Sequence, residues 1–239
     1  MKSKILIRFL KYFFLLLLIS SANAEEPRFY IPDAPAISAI SFVVMDHNSG
    51  AILAANNEDE KRAPASLTKL MTSYVVFQRI KEEFITLEDD VKISEKAWKT
   101  GGSRSFIEVG KIIKLKDLLR GMIVQSGNDA SVALAEHVAG SEGTFVLFMN
   151  DYAEQLGMKN SRFENSSGLP HEDQYTTAID MAILSSAMIR DFPDFYKWYS
   201  EKEFTYNNIT QLNRNKLLWS DSTVAVSYTH LTLPTKRIV

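Results

Sequence analysis

The sequence predicts an α/β (α+β) fold, in which an antiparallel sheet is backed by helices and a helical subdomain forms one wall of a cleft. Three observations support this prediction. A strand pair opens the body of the chain, a long helical middle follows, and strand-like segments return near its end. Strands that bracket a helical middle indicate a sheet with helices packed on it.

The opening strand pair lies in "SFVVMDHNSGAILAANNED". Apolar runs flank Asn48, Ser49 and Gly50, which are residue types that favour a tight turn. This segment therefore predicts a β-hairpin.

The first helix of the middle follows Pro64, in "ASLTKLMTSYVVFQRIKEE". Apolar side chains recur on nearly all sides of its first turns: Leu67, Leu70, Met71, Tyr74, Val75 and Phe77. Because such a helix belongs in an interior, we expect it to be buried.

Two further helices are predicted in "LKDLLRGMIV" and "DASVALAEHVAG", separated by a short turn at Ser126, Gly127 and Asn128. Either Asn128 or Asp129 suits the N-cap of the second helix.

Helical spacing recurs in "GTFVLFMNDYAEQLGM" and in "AIDMAILSSAMIR", where Thr177 and Asp180 have the spacing of a capping box. A loop is expected between these two helices. The last segment, "EKEFTYNNITQLNRNKLLW", predicts a second hairpin that turns at Asn207 and Asn208.

Residues 1–24 have the pattern of a secretory signal peptide. Basic side chains precede an apolar run that ends before Ala22, Asn23 and Ala24, an A-x-A cleavage pattern. The run is shorter than the roughly 20 apolar residues that a bilayer needs. We expect cleavage after Ala24, and an uncleaved anchor is the alternative.

Residues 226–239, "VSYTHLTLPTKRIV", differ from the preceding sequence in charge pattern and in composition. Read back to codons, they resemble one frame of the transposase adapter used to build sequencing libraries. We therefore expect the native sequence to stop near Val224, so that residues 25–225 form a partial domain and residues 226–239 a non-native tail. A genuine Thr-rich strand is the alternative.

Composition excludes several classes of function. The absence of cysteine excludes cysteine nucleophiles and zinc–thiolate sites. The total charge is −2, and because both end segments are basic, the body carries about −8, which argues against a nucleic-acid partner. His47, His137 and His171 show no metal-ligand spacing, and His230 lies in the tail.

Ser66 and Lys69 place a hydroxyl and an amine one helical turn apart on one face of the buried helix. A serine attacks when a base takes its proton, and a lysine serves as that base when burial or positive charge lowers its pKa from about 10.4 towards neutrality. The spacing suits a nucleophile and its base, and a capping serine beside a solvated lysine is the alternative.

Ser126 and Asn128 present a hydroxyl and an amide on the turn between two helices. In a functional interpretation they relay a proton to a leaving amine and hold a substrate. In the alternative interpretation they only form a turn and a cap.

The order Ser-x-x-Lys, then Ser-x-Asn, resembles that of the serine penicillin-binding proteins and beta-lactamases, in which Lys-Thr-Gly comes third. More closely, the chain resembles the low-molecular-weight D-alanyl-D-alanine carboxypeptidases, in four stretches that span most of Ser41 to Trp219: "DHNSGAILAANNEDEKRAPASLTKLMTSYVV", "LLRGMIVQSGNDASVALAEHVAGS", "FVLFMNDYAEQLGMKNSRFENSSGLP" and "EKEFTYNNITQLNRNKLLW". The resemblance implies a beta-lactamase/transpeptidase-like fold, incomplete here at its C-terminus.

The resemblance also implies roles for five residues. Ser66 is expected to be the acylated nucleophile, Lys69 its general base and Ser126 part of the proton path. Asn128 is expected to hold the substrate, and Arg214 to face the cleft and bind it. The family's third motif is expected on a strand after "LLW", which we expect to be missing from this chain.

Lys99, Thr100 and Gly101 spell that third motif but precede the second one. Their polar, glycine-rich surroundings predict a turn at the rim of the cleft rather than a core strand. We therefore expect no catalytic role for Lys99.

The function implied is that of a periplasmic serine carboxypeptidase, which removes the terminal D-alanine from peptidoglycan stem peptides and is acylated by beta-lactams. No metal or organic cofactor is implied. The chain as it stands is expected to be inactive. The resemblance suggests a second beta-rich domain and an amphipathic inner-membrane anchor in the missing C-terminal sequence, and this chain leaves the presence of both open.

Three alternatives stay open: a D,D-endopeptidase, a beta-lactamase, or a non-catalytic peptidoglycan-binding module. Glu164 lies in "FENSSGL", which lacks the pattern around the deacylating glutamate of class A beta-lactamases. That difference favours a peptidase over a beta-lactamase.

Overall fold

The computed structural model describes residues 38–220, which lie within one compact unit. The predictions for the signal peptide at residues 1–24, for the start of the body at residues 25–37 and for the tail at residues 226–239 lie outside the described residues.

The described residues form short strands and mostly longer helices. The strands are β1 (Phe42–Met45), β2 (Ile52–Asn56), β3 (Asp90–Lys92), β4 (Ile112–Lys114), β5 (Glu203–Tyr206) and β6 (Ile209–Leu212). The helices are α1 (Thr68–Lys81), α2 (Glu95–Lys99), α3 (Leu115–Gln125), α4 (Asn128–Ala139), α5 (Glu142–Leu156), α6 (Ala178–Asp191), α7 (Pro193–Tyr196) and α8 (Leu217–Ser220). A 3-10 turn, Ala65–Leu67, leads directly into α1, and a second one, Lys197–Ser200, follows α7.

The mixed α+β class is confirmed, with a difference in how the strands pair. The described strands form three separate two-stranded antiparallel sheets, β1 with β2, β3 with β4 and β5 with β6, rather than one sheet. A single sheet needs strands that bridge the first and last hairpins. The prediction that a further strand after Trp219 is missing concerns residues that follow Ser220, which lie outside the described residues.

Both predicted hairpins are confirmed. In the first, the Asp46 carboxylate accepts hydrogen bonds from the main-chain N–H and the hydroxyl of Ser49, and Gly50 follows with a φ of 72°. In the second, Asn207 and Asn208 have φ values of 50° and 61°. Positive φ at both central residues gives the turn twist that matches antiparallel strands, and asparagine tolerates it.

The predicted burial of the first helix is confirmed. Every residue from Thr68 to Phe77 is buried, and α1 packs against α3, α4, α5 and α6. The polar side chains Lys69 and Thr72 are therefore carried into the interior. Buried polar groups need hydrogen-bond partners, and loops next to α1 supply them.

The predicted N-cap of α4 is wrong. Gly127 occupies the cap position, and neither Asn128 nor Asp129 caps the helix with its side chain. A β-carbon on Gly127 would lie 2.0 Å from the hydroxyl of Ser105, so a close tertiary contact selects glycine there. Asp129 instead accepts hydrogen bonds from the main-chain N–H groups of Ser105 and Ala130.

The capping box of α6 is half formed. The Thr177 hydroxyl accepts from the main-chain N–H of Asp180 at 3.2 Å, as predicted. The Asp180 carboxylate accepts from the N–H of Asn160 and the hydroxyl of Ser161 rather than turning back to the cap. It thereby ties the preceding loop to α6.

The segment around Lys99 differs from the prediction of a turn. It forms the short helix α2, which begins after Ser94, whose hydroxyl accepts from the N–H of Ala97. The elements β3, β4 and α2 have three to five residues each, too few for a hydrophobic period to show. None of the helices in residues 38–220 has the length and apolar character that crossing a membrane requires.

Candidate active site

Ser66 and Lys69 lie together at the start of the central helix. Ser66 is part of the 3-10 turn before α1, and the Lys69 ammonium nitrogen lies 3.4 Å from the Ser66 hydroxyl oxygen. The preceding residue, Ala65, has a φ of 46°, a conformation that costs a non-glycine residue about 1–2 kcal/mol. The chain therefore enters the helix through a strained bend next to Ser66.

Lys69 is held in the interior, with 3% of its surface exposed. Its Nζ donates a hydrogen bond to the main-chain carbonyl of Ser167. Burial, helped by the positive charge of Arg214 and opposed by Asp129, lowers the pKa of Lys69 to about 7. Because this pKa is close to neutral, Lys69 can accept a proton under ordinary conditions.

Ser126 lies on the turn between α3 and α4, where it adopts a left-handed conformation with a φ of 63°. The residue is 1% exposed, and its hydroxyl makes no hydrogen bond within residues 38–220. A buried hydroxyl without a partner is uncommon and costs free energy. Its hydrogen-bonding capacity is therefore unused within the part of the chain that the structure describes.

Asn128 is joined to the loop that follows α2. Its side-chain amide donates to the carbonyl of Gly101 at 2.8 Å, and its main-chain N–H donates to the carbonyl of Ser103 at 2.7 Å. A β-carbon on Gly102 would lie 2.5 Å from the Asn128 amide nitrogen. The small residues of this loop therefore allow it to approach the turn closely.

Arg214 follows the last strand and reaches the same loop. Its guanidinium donates to the Ser103 hydroxyl at 2.7 Å, and that hydroxyl donates to the carbonyl of Gln125 at 2.8 Å. Ser66, Gln125 and Arg214 line an open cavity of about 1460 Å³. Of the five residues selected from the sequence, Ser66 and Arg214 line this cavity, and Lys69 lies next to Ser66. Ser126 and Asn128 lie on the turn directly after Gln125, and Ser103 contacts both Asn128 and Arg214.

Lys99 lies apart from this arrangement. Its ammonium group forms an ion pair with Glu95 at 2.6 Å, and 64% of its side chain is exposed. The lysine of the misplaced Lys-Thr-Gly therefore points to solvent at the end of α2.

Three other side chains considered in the sequence, His47, His137 and Glu164, have their hydrogen-bond or ion-pair partners away from Ser66 and Lys69. His47 contacts the hydroxyl of Ser186, His137 contacts Asp89, and Glu164 is paired with Arg162. Each of these contacts joins two elements or two positions of one loop and none includes Ser66 or Lys69.

The segment Asn165–Gly168, here named the serine loop, also contacts the site residues, although the sequence did not indicate it. Its Ser167 carbonyl binds Lys69, and its Gly168, at a φ of 82°, lies so close to Ala65 that a β-carbon would be 1.8 Å from the Ala65 carbonyl oxygen. A main-chain carbonyl has no sequence signature. Gly168 was the one available sign of a close approach.

Solved structures with the same architecture are known. Penicillin binding protein 5 from Haemophilus influenzae matches with a TM-score of 0.78 and 49% identity, over 80% of this chain and 56% of that one. Penicillin binding protein 6B from Escherichia coli matches with a TM-score of 0.77 and 47% identity, over 81% of this chain and 63% of that one. The fold therefore defines the class, that of penicillin-binding proteins with a beta-lactamase-like fold.

The family follows from the sequence comparisons. A family model described as D-alanyl-D-alanine carboxypeptidase, peptidase S11, matches residues 29–233. The D-alanyl-D-alanine carboxypeptidase DacA of Haemophilus influenzae is 49% identical over 209 residues, 86% of this chain and 53% of that protein. The chain belongs to the peptidase S11 family, and the predicted family is confirmed. It spans about half the length of the curated relatives it matches.

Proposed function

We propose that the full-length protein is a serine D-alanyl-D-alanine carboxypeptidase that removes the terminal D-alanine from peptidoglycan stem peptides. One observation carries the proposal: a lysine with a pKa of about 7 lies 3.4 Å from the hydroxyl of Ser66. A hydroxyl beside a neutral amine is the minimum that nucleophilic catalysis by serine requires. Membership of the S11 family supports the choice of substrate.

In the proposed acylation step, the Ser66 oxygen attacks the carbonyl carbon between the two D-alanine residues while Lys69 takes the hydroxyl proton. The new carbon–oxygen bond forms as the carbon–nitrogen bond breaks. The leaving amine must gain a proton, and the Ser126 hydroxyl, which has no partner within residues 38–220, supplies a relay for it from Lys69. Water then hydrolyses the acyl-enzyme and restores the Ser66 hydroxyl.

Asn128 and Arg214 are proposed to bind the substrate. The Asn128 side-chain amide is held in one orientation by its hydrogen bond to Gly101, and the resemblance to the family supports its role in binding. Arg214 is exposed and uses one amino group of its guanidinium on Ser103, so its other donors and its charge suit a carboxylate of the stem peptide.

Beta-lactams are proposed to acylate the same serine and to leave it only slowly. We also propose that the protein acts in the periplasm, since residues 1–24 have a signal-peptide pattern. Attachment to the inner membrane through further C-terminal sequence is proposed on family resemblance alone.

The test is the release of D-alanine by the full-length protein from a peptide that ends in D-Ala-D-Ala. We expect release by the wild type and none by Ser66→Ala. Cleavage of a cross-linked muropeptide instead would favour an endopeptidase, and rapid repeated hydrolysis of penicillin would favour a beta-lactamase. Absence of every one of these reactions from the folded wild type would overturn the enzyme proposal.

A further inference from the structure

Glu142, in the first turn of α5, binds the serine loop through hydrogen bonds from Ser166. One carboxylate oxygen accepts from both the main-chain N–H and the hydroxyl of Ser166, at 3.1 and 2.8 Å. The other oxygen forms an ion pair with Lys96 at 2.7 Å, and 12% of the Glu142 side chain is exposed. Burial raises the pKa of Glu142, but hydrogen bonds from Lys96 and Ser166 outweigh burial and hold the pKa below its usual value.

The serine loop is also hydrogen-bonded to the central helix, α1. The carbonyl of Ser166 accepts from the hydroxyls of Thr72 on α1 and Ser131 on α4, each at 2.6 Å. The carbonyl of the next residue, Ser167, accepts from Lys69. The residue that Glu142 binds, Ser166, is thus directly followed by the residue whose carbonyl orients Lys69.

Nothing else among the described residues takes the place of Glu142 at Ser166. The loop has its own internal anchor, because Asn165 accepts from the N–H groups of Ser167 and Gly168, but this anchor does not include the N–H of Ser166. Ser166 is fully buried. Loss of the carboxylate would leave two buried donors without an acceptor, and the loop would have to move to reach one.

Such a movement of the serine loop would displace two groups that contact Lys69 or the residue before Ser66. It would shift the carbonyl that binds Lys69, and it would shift Gly168, which is packed against the carbonyl of Ala65 immediately before Ser66. Small displacements of reacting groups slow a reaction strongly, by about 100-fold for 1 Å.

We propose that Glu142 is a positioning residue for acylation, which sets the Lys69–Ser66 geometry by holding the serine loop at Ser166. The inference rests on the proposed function, because it concerns the same acylation step. A purely structural role for Glu142 would lower stability and leave the acylation rate of the folded enzyme unchanged.

The test measures the rate constant for acylation of the full-length protein by a fluorescent penicillin, separately from the affinity of the initial complex. Glu142→Ala is expected to acylate about 10- to 100-fold more slowly, with the affinity of the initial complex nearly unchanged. Glu142→Gln keeps an oxygen that can accept from Ser166, and its rate is expected within about threefold of wild type.

Glu136→Ala is the matched control. Glu136 also accepts a hydrogen bond from a serine, at 2.6 Å from the Ser94 hydroxyl, but it has no contact with the serine loop. It is expected to acylate at the wild-type rate. Ser166→Ala is a second test at the other end of the contact, useful if Glu142→Ala does not fold, and is expected to slow acylation about two- to tenfold.

The inference is overturned if folded Glu142→Ala and Ser166→Ala both acylate within about twofold of wild type, or if Glu142→Gln is as slow as Glu142→Ala. Failure of the wild type itself to acylate would instead defeat the proposed function. The two failures are therefore distinguishable in one experiment.

Discussion

At the scale of single residues, Lys69 is the group on which the site depends. A lysine in the first turn of an apolar helix loses its water, and burial is the largest cause of its lowered pKa. The positive end of the helix dipole is worth at most about 2 kcal/mol and acts only near the first turn. Desolvation, helped by the charge of Arg214, is therefore the effect that can bring the pKa of Lys69 close to neutrality.

The first prediction concerns pH. Only the unprotonated amine can take the proton of Ser66, so the acylation rate should rise with pH and level off above the Lys69 pKa of about 7. The rate constant for acylation by a penicillin, measured from acid to alkaline pH, checks this. Lys99→Ala, which removes an exposed ammonium, should give the wild-type profile. A rate that does not change with pH across neutrality would contradict the role of Lys69.

The second prediction concerns Arg214. Its charge lowers the pKa of Lys69, so Arg214→Ala should raise that pKa and move the pH profile to higher pH. Arg214→Lys keeps the charge and should keep most of the wild-type profile. The pH profiles of both variants provide the measurement, and an Arg214→Ala profile that moves to lower pH would show that the charge does not act on Lys69.

The sequence predicts side-chain spacing better than it predicts main-chain contacts. Ser66 and Lys69 could be paired from the sequence because three positions on a helix lie on one face. The carbonyl of Ser167 and the N–H groups that bind Asp129 could not be predicted, since every residue carries the same main-chain groups. Contacts of that kind depend on which loops the fold brings together.

At the scale of elements, the site depends on close packing between the serine loop and the bend before α1. Gly168 has a φ of 82° and no room for a β-carbon beside Ala65. Gly157, at the end of α5, has the same φ of 82° and nothing within 4 Å of the position that a β-carbon would take. Substitution of Gly157 by alanine therefore tests backbone strain alone, whereas substitution of Gly168 adds a steric conflict with Ala65.

The third prediction uses this pair. Gly157→Ala should cost about 1–2 kcal/mol of unfolding free energy from backbone strain alone. Gly168→Ala should cost about 1–3 kcal/mol more, because the new methyl group forces backbone apart, and it should slow acylation by displacing Ser66. Denaturant unfolding and penicillin acylation measure the two effects. Equal stability and equal acylation in the two variants would contradict the close packing described here.

Elements with a local sequence signal were predictable and elements without one were not. The helix α1 and both hairpins follow from apolar spacing and turn residues, which are local signals. The N-cap of α4 was predicted wrongly because Gly127 is selected by its contact with Ser105, more than twenty positions earlier. The short elements β3, β4 and α2 are held by such tertiary contacts rather than by their own sequence pattern.

At the scale of the whole molecule, the cleft is assembled from distant parts of the chain. Residues at the start of α1, at the end of α3 and in the segment after β6 line it, and the serine loop binds Lys69 next to Ser66. Their convergence around one buried helix could be expected only through the resemblance to a known family, since no local pattern specifies it.

The central claim is that Ser66 is the residue that becomes acylated. The full-length protein should be incubated with a penicillin and digested with trypsin, which releases residues 63–69, a peptide with Ser66 as its only serine. Mass spectrometry should find the penicillin on that peptide at Ser66, and Ser66→Ala should carry none. A penicillin adduct on a different residue, or no adduct on the folded wild type, would contradict the claim.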